Sequence, residues 1–319
     1  MTQRKELRIL MFALFLSMAA TIRGASQAPA QHPIANSIQP QPHVRVVGYL
    51  AEKEPDLLTM LPPYPSLDSI QDRTDVASLR QWQQPDNSPR WRLANEDVEM
   101  SYERFAPAFG MKINQSETPF LVHLLNRTEQ DVQTVAFSAK VFYDRPRPYQ
   151  RFQMEHVCGA EKAPAPEVPL KGGSSYPSGH TSFGWGAVLI LAEVAPEHAQ
   201  PLLARGREYG ESRIICAVHY PSDIEGGQLV ATAVVARLHA DPEFEEDLRC
   251  AKEEHFVALH GGGGLSHACQ QRKPQLGEVQ APAVPPLPGS SWLGCTGDAA
   301  GPSNPCPLSP WLQPGKPQQ

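Results

Sequence analysis

Between residues 101 and 260 the apolar residues recur at the three-to-four spacing of helices, and alternation with a period of two is nearly absent. A half-buried strand needs that alternation, so the chain is confined to packing helix on helix and the expected fold class is all-α. Prolines supply the punctuation. Polar helical stretches are expected over residues 75–83 and 92–98, separated by the break Pro85-Asp86-Asn87-Ser88-Pro89. Pro119 begins a helix capped by Glu117 or Thr118. A second is expected over residues 129–143, ending in Asp144-Arg145-Pro146-Arg147-Pro148, where two prolines forbid continuation. Further helices are expected over residues 181–194, 197–218 and 222–239, and a last one opened by Asp241-Pro242 and running to about residue 259. Leu61-Pro62-Pro63-Tyr64-Pro65 reads as a rigid extended segment lying against the domain.

The two ends differ from this middle. Arg4, Lys5 and Arg8 precede an apolar run over residues 9–20 and then small residues, the order of a secretory signal peptide, expected over residues 1–26. The run is shorter than the roughly 20 residues of a membrane span, and no other stretch qualifies, so no membrane partner is expected. Residues 27–50 form a Pro-, Gln- and Ala-rich flexible lead-in to a domain over residues 51–260, and residues 261–319 form a Pro/Gly-rich tail expected to be disordered. With charged residues at 19% of 319, a net charge of −6 and no extended basic block, nucleic-acid binding has no footing. Six cysteines in an exported chain imply disulfides. Cys158 and Cys216 lie inside the domain and are expected to pair, while the pairing of Cys250, Cys269, Cys295 and Cys306 stays open. No two cysteines form a C-x-x-C unit, so no metal is expected.

Tyr176-Pro177-Ser178-Gly179-His180-Thr181 makes a tight turn immediately before the most apolar helix. The N–H groups at that helix start suit an anion such as phosphate, with His180 beside it as a proton donor. Two more clusters lie at helix ends: Lys140 with Arg147-Pro148, and Ser212-Arg213 followed by His219 and Asp223. Singly, each has an ordinary explanation, as a solvated charge, a core histidine or a helix-start carboxylate. Together they hold what phosphoryl transfer needs: cations for phosphate oxygens, a nucleophile, an acid and a carboxylate to orient the nucleophile. If Pro221 opens a helix, Asp223 falls in its first turn and His219 just before it. Asp223 would then accept the proton of one ring nitrogen of His219 and leave the other free to attack phosphorus. The remaining histidines show no comparable company in the sequence.

The ordered set Lys140-x6-Arg147-Pro148, Pro177-Ser178-Gly179-His180, Ser212-Arg213-x5-His219-x3-Asp223 resembles the three-part signature of the type 2 phosphatidic acid phosphatase superfamily. Leu61-Pro62-Pro63, Ala108-Phe109-Gly110, the run over residues 173–182 and Ser212-Arg213-Ile214-Ile215-Cys216 are similar, more narrowly, to the bacterial class A non-specific acid phosphatases. The resemblance covers residues 50–258 and implies a secreted or periplasmic enzyme that hydrolyses a broad range of phosphate monoesters without a cofactor. It implies that His219 is phosphorylated, Asp223 orients it and His180 is the acid. Lys140, Arg147, Ser178, Gly179 and Arg213 would hold the phosphate. It further implies a homo-oligomer acting on small phosphomonoesters, with an acidic optimum. The competing readings are a vanadium-dependent haloperoxidase, which resembles the same signature, and a non-catalytic phosphate-binding protein working through its tail.

Overall fold

The computed structural model describes residues 46–50, 60–84, 88–154, 157–158 and 174–274, and among them there are helices, turns and no strand. Serine caps open the first two helices: Ser69 accepts from Asp72 N at 3.1 Å for α1 (Ile70–Trp82), and Ser88 accepts from Trp91 N at 3.0 Å for α2 (Pro89–Glu96). A short α3 (Ala106–Phe109) ends at Gly110, whose φ of 85° is a left-handed turn that glycine adopts without strain. The long helix α4 (Pro119–Tyr143) stops at Asp144 and is followed by the single turn α5 (Pro148–Arg151). The apolar helix α6 (Gly179–Val194) packs against α4, against α7 (Ala199–Ile215) and against α8 (Pro221–Leu238). Finally α9 (Pro242–His260) closes over α4, and α10 (His267–Gln271) follows.

The main core lies between α4, α6, α7, α8 and α9, with Leu124, Val132, Leu191, Leu202, Val234 and Phe244 buried in it. Small residues bring the helices close. A Cβ at Gly206 would sit 2.4 Å from the Val188 side chain, and one at Gly227 2.6 Å from the Ser178 carbonyl oxygen. The second contact seats the start of α6 directly on α8. No described helix is long and apolar enough to cross a membrane.

Three sequence expectations change. The helix at Pro119 and the helix over residues 129–143 are one, α4. The polar stretch Asn126-Arg127-Thr128, between the two expected helices, is buried, and Arg127 Nη1 reaches Glu243 at 2.8 Å and Asp247 at 3.1 Å on α9. The polar residues are internal partners rather than a surface interruption. The lead-in expected over residues 27–50 is anchored at its end: the Tyr49 and Leu50 N–H groups donate to the Asp131 carboxylate at 2.7 and 3.1 Å, and both side chains enter the core. The tail expected from residue 261 is likewise ordered as far as residue 274. Gly261 to Gly264 all have positive φ, so the glycine run reverses the chain and returns it to α9. Cys269 bonds there to Cys250, and Arg272 Nε donates to Asp247 at 2.8 Å. Composition reported the polarity of these segments but not their specific partners. The expected signal peptide, the rest of the lead-in, and the remainder of the tail with Cys295 and Cys306 lie outside the described residues.

Candidate active site

Helix ends build the site. α4 contributes Lys140 from its last turn, α6 its N-terminus with Ser178, Gly179 and His180, α7 contributes Arg213 from its last turn, and α8 contributes Asp223 from its first. Arg147 stands at the start of α5 and His219 in the short link between α7 and α8. The sequence-read residues therefore come together at one end of the α4, α6, α7 and α8 bundle. Ser178 caps α6 by accepting from Thr181 N at 3.3 Å, and its own N–H donates to the Asp223 carbonyl at 2.9 Å, tying the turn to α8. Lys140 Nζ donates to the Ser174 carbonyl at 2.7 Å on the strand-like lead into the turn. The expected pair Cys158 and Cys216 is at bonding distance, which holds the residues just beyond Arg213 against the loop after α5.

The two nitrogens of His219 face different surroundings. Nδ1 lies 3.4 Å from Asp223 Oδ2 and 3.5 Å from Ser175 Oγ, while Nε2 lies 3.3 Å from Arg147 Nη1. Arg147 also donates to the Val218 carbonyl at 3.1 Å. Asp223 Oδ2 is satisfied further by Tyr220 N at 2.8 Å and by a very short bond from Ser175 Oγ, and its Oδ1 accepts from Arg145 Nη1 at 2.6 Å. His180 Nε2 donates to the Val98 carbonyl at 2.9 Å, and its ring stacks on Tyr209.

Positive charge dominates this end of the bundle. Burial first, and then Arg147, push the Lys140 ammonium well below its usual pKa. Burial lowers Arg147, and burial reinforced by Arg147 brings Arg213 down to about 10. Arg213 Nε is buried and meets no acceptor among the described residues. His219 is held well below its usual value by burial and then by Arg147, so Nε2 stays unprotonated in mild acid. His180 falls to about 3, again from burial first and then from Arg213, Arg147 and Lys140. Burial alone would raise the Asp223 carboxyl, but the His219 hydrogen bond and the Arg145 charge hold it far below the carboxylate range. Three buried cations, two of them depressed further by Arg147, are gathered at one end of the bundle, an arrangement suited to a multiply charged anion.

Comparison with known proteins decides what receptor this is. Residues 125–245 match the PAP2 superfamily. The chain is 35% identical to a non-specific acid phosphatase of Providencia stuartii, across 62% of this chain and 80% of that one. It is 38% identical to a non-specific acid phosphatase of Salmonella typhimurium, across 61% and 78% of the two chains. To an acid phosphatase of Zymomonas mobilis subsp. mobilis it is 33% identical, across 62% and 75%. The chain belongs to the acid phosphatases of the PAP2 superfamily.

Several residues of this phosphatase that touch the site were passed over in the sequence. Arg145 was read only as part of the stop after α4, yet it is fully buried and bonded to Asp223. Ser175 sits in the turn motif, where a second serine has nothing to distinguish it. Val98 takes part through its carbonyl, which no side-chain pattern can reveal. Conversely, Ser212, which shares the Ser212-Arg213 cluster, turns away: it donates to Asp97 Oδ2 at 2.6 Å and accepts from Arg90 Nη1 at 3.0 Å. Histidines that seemed without partners do have them elsewhere, as His123 beside Asp247 at 3.0 Å and His239 beside Glu245 at 2.6 Å show.

Proposed function

We propose that this phosphatase hydrolyses a broad range of small phosphate monoesters by way of a phosphohistidine at His219, without a metal. The observation that carries the reading is the division of labour at His219: Nδ1 on the Asp223 side and Nε2 on the cation side. In the first step the Nε2 lone pair forms a bond to phosphorus as the ester P–O bond breaks. The leaving alkoxide takes a proton from His180. Lys140, Arg147, Arg213, the Ser178 hydroxyl and the Gly179 N–H at the start of α6 face the charge that develops on the phosphoryl oxygens. In the second step His180, now neutral, removes a proton from a water that attacks phosphorus, and the P–N bond breaks to return His219 and release phosphate.

His180 must begin this cycle protonated, whereas in the empty pocket it is depressed to about 3. Burial is the first cause, and the cations that add to it are the ones a phosphate dianion would neutralise, so the bound substrate reverses the sign of the local field and raises His180. With Nε2–H already donated to Val98, Nδ1 carries the proton that is exchanged. The acidic optimum then has two sides. Turnover falls as pH rises through the value of His180 in the complex, and falls in strong acid when His219 gains a proton. Two disulfides support a place outside the cytoplasm, as in a secreted or periplasmic protein. We place the domain boundaries near residues 46 and 274, on the anchoring contacts at each end, and retain the homo-oligomer as part of the proposal.

The test is hydrolysis of an aryl phosphate at mildly acidic pH in excess chelator, wild type against His219→Ala. The expected result is full turnover in chelator and a loss of about 10⁴-fold or more in the variant, as for other covalent nucleophiles. Turnover abolished by chelation would refute metal independence. A folded His219→Ala that still turned over would refute the phosphohistidine.

A further inference from the structure

Behind the His219–Asp223 pair lies a second layer of buried charge that the proposed chemistry does not use. Arg145 is 1% exposed and its guanidinium bridges two parts of the fold. Nη1 donates to Asp223 Oδ1 at 2.6 Å and to Ser222 Oγ at 2.8 Å. Nη2 donates to Asp75 Oδ2 at 2.9 Å and comes within 3.7 Å of Asp72 Oδ1. The plane is held between rings, with Cζ 4.1 Å from the Tyr220 centroid and 5.1 Å from that of Tyr64. Asp72 is itself clamped by two 2.8 Å bonds from Arg151, and Asp75 Oδ1 accepts from Ser222 N at 3.2 Å. Tyr64 belongs to the proline-rich segment near Leu61, so this segment and α1 form the back wall of the site. Both lie outside residues 125–245, where the superfamily match falls.

From this geometry we infer that Arg145 is a positioning residue for the phosphoryl-transfer step, and that α1, through Asp75, sets its orientation. The inference rests on the phosphohistidine reading above. Asp223 has to stay ionised and fixed if it is to keep the proton of His219 on Nδ1 and leave Nε2 bare. One carboxylate oxygen serves His219, Ser175 and Tyr220 N. The other is committed to Arg145, which fixes the carboxylate plane through a charge-assisted bond in a dry interior. A guanidinium suits this task because its fork binds Asp223 with one nitrogen and Asp75 with the other. Its guanidinium bonds Asp223 and Ser222 and stacks on Tyr220, so its effect reaches His219 through Asp223 and the first turn of α8. The charges that reach Asp223 are Lys140 from α4, Arg145 and Arg147 from the link to α5, and His219 from the link to α8. Tyr176 and Tyr220 are the neutral titratable groups beside it, and Asp72 and Asp75 of α1 stand on the far side of Arg145.

The experiment compares wild type, Arg145→Met, Arg145→Lys and Asp75→Asn on one aryl phosphate, recording kcat, KM, the pH dependence of kcat and inhibition by vanadate. For Arg145→Met the expected result is a kcat lower by about 10- to 100-fold, the range of an outer-layer partner that orients a reacting group. KM and vanadate inhibition should stay near wild type. The acid limb of the kcat profile should move to higher pH, because Asp223 without its cation protonates more easily. Arg145→Lys should restore the acid limb by returning the charge, yet recover kcat only in part, since an ammonium cannot fork. If Arg145→Met does not fold, Asp75→Asn carries the test from the far end of the guanidinium: kcat is expected to fall about 10-fold, again with KM unmoved. A folded Arg145→Met or Asp75→Asn with wild-type kcat and an unmoved acid limb would overturn the inference. So would a raised KM at unchanged kcat, which would mean damage to the phosphate pocket. His219→Ala in the same series separates the two levels. If it keeps turnover the phosphohistidine reading fails, and if it is dead while the Arg145 variants are normal only the positioning role fails.

Discussion

Helix α4 carries one buried cation in its first half and another in its last turn, and their surroundings are opposite. Toward its start, Arg127 faces Glu243 and Asp247 and stacks 3.8 Å from the Tyr49 ring centroid. Asp247 is bonded further by Tyr49 OH at 2.9 Å, by His123 and by Arg272. There the ion pairs and hydrogen bonds overcome burial, and Arg127 is held above its ordinary pKa while Asp247 is held below. In the last turn and just beyond it Lys140, Arg147 and Arg213 are all pushed below theirs, by burial in each case and by Arg147 as well for Lys140 and Arg213. The first cluster is complete within the protein; on the function proposed above, an anion from outside completes the second. Both look alike as lists of buried polar residues. The direction of the shift separates a structural network from a binding site.

The comparison breaks if both clusters respond alike to losing a cation. Arg127→Met should lower stability by about 3 kcal/mol, the lower part of the range for breaking a buried pair, because Arg272 still reaches Asp247. Activity per folded molecule should be unchanged. Arg213→Met should do the reverse. It removes a donor that opposes developing charge, so kcat/KM should fall by about 10²- to 10³-fold, while stability holds or rises as the cations are relieved of one neighbour. Denaturant titration alongside active-site-normalised kinetics reads both. A stability loss at Arg213 equal to that at Arg127 would mean that the site is as self-contained as the network.

How much of this could be read from the chain follows the same division. The all-α class, the turn before α6 and the set from Lys140 to Asp223 were legible because helix periodicity and helix-end chemistry are local. Pro221 at the start of α8 was enough to place Asp223 one turn from His219. The continuity of α4 was not legible, since Arg127 is explained by partners distant in sequence, Glu243 and Asp247 on a different helix and Tyr49 ahead of α1. Arg145 was hidden for a related reason. Its position directly before Pro146 accounts for the chain stop, and its partner Asp75 is separated from it by 70 residues. The glycines after α9 were misread because composition does not distinguish a chain that cannot fold from one that must turn sharply.

That turn gives a smaller test at the edge of the structural network. The bond between Cys250 and Cys269 closes a separation of 19 residues, and loops of that size contribute about 3 kcal/mol on the chain-entropy account. Part of that is offset here, because the reduced segment keeps the Arg272 contact with Asp247. Cys250→Ser with Cys269→Ser should therefore lower Tm measurably and leave KM and kcat as they were. A change in KM would show that the segment after α9 communicates with the site, contrary to the separation drawn above.

The finest test uses proton linkage at the site itself. His180 and His219 are below their ordinary value in the folded, empty protein, so the unfolded chain binds protons that the folded one refuses. Stability from these groups is full above the unfolded value near 6.5 and is lost as pH falls toward the folded one, by up to about 1.4 kcal/mol per pH unit for each histidine. The buried Asp131 carboxyl in the middle of α4, raised to about 6, contributes with the other sign and gains stability as it protonates. A phosphate in the pocket offsets the cation field that adds to burial in depressing His180, so the bound protein accepts a proton more readily than the empty one. Inorganic phosphate should accordingly raise Tm more at pH 5 than at pH 7, after correction for the ionisation of phosphate. In His180→Asn that difference should shrink, whereas in Arg127→Met it should persist. An equal phosphate effect at the two pH values in wild type would mean that the anion does not restore His180, and the acid role assigned to it would fall.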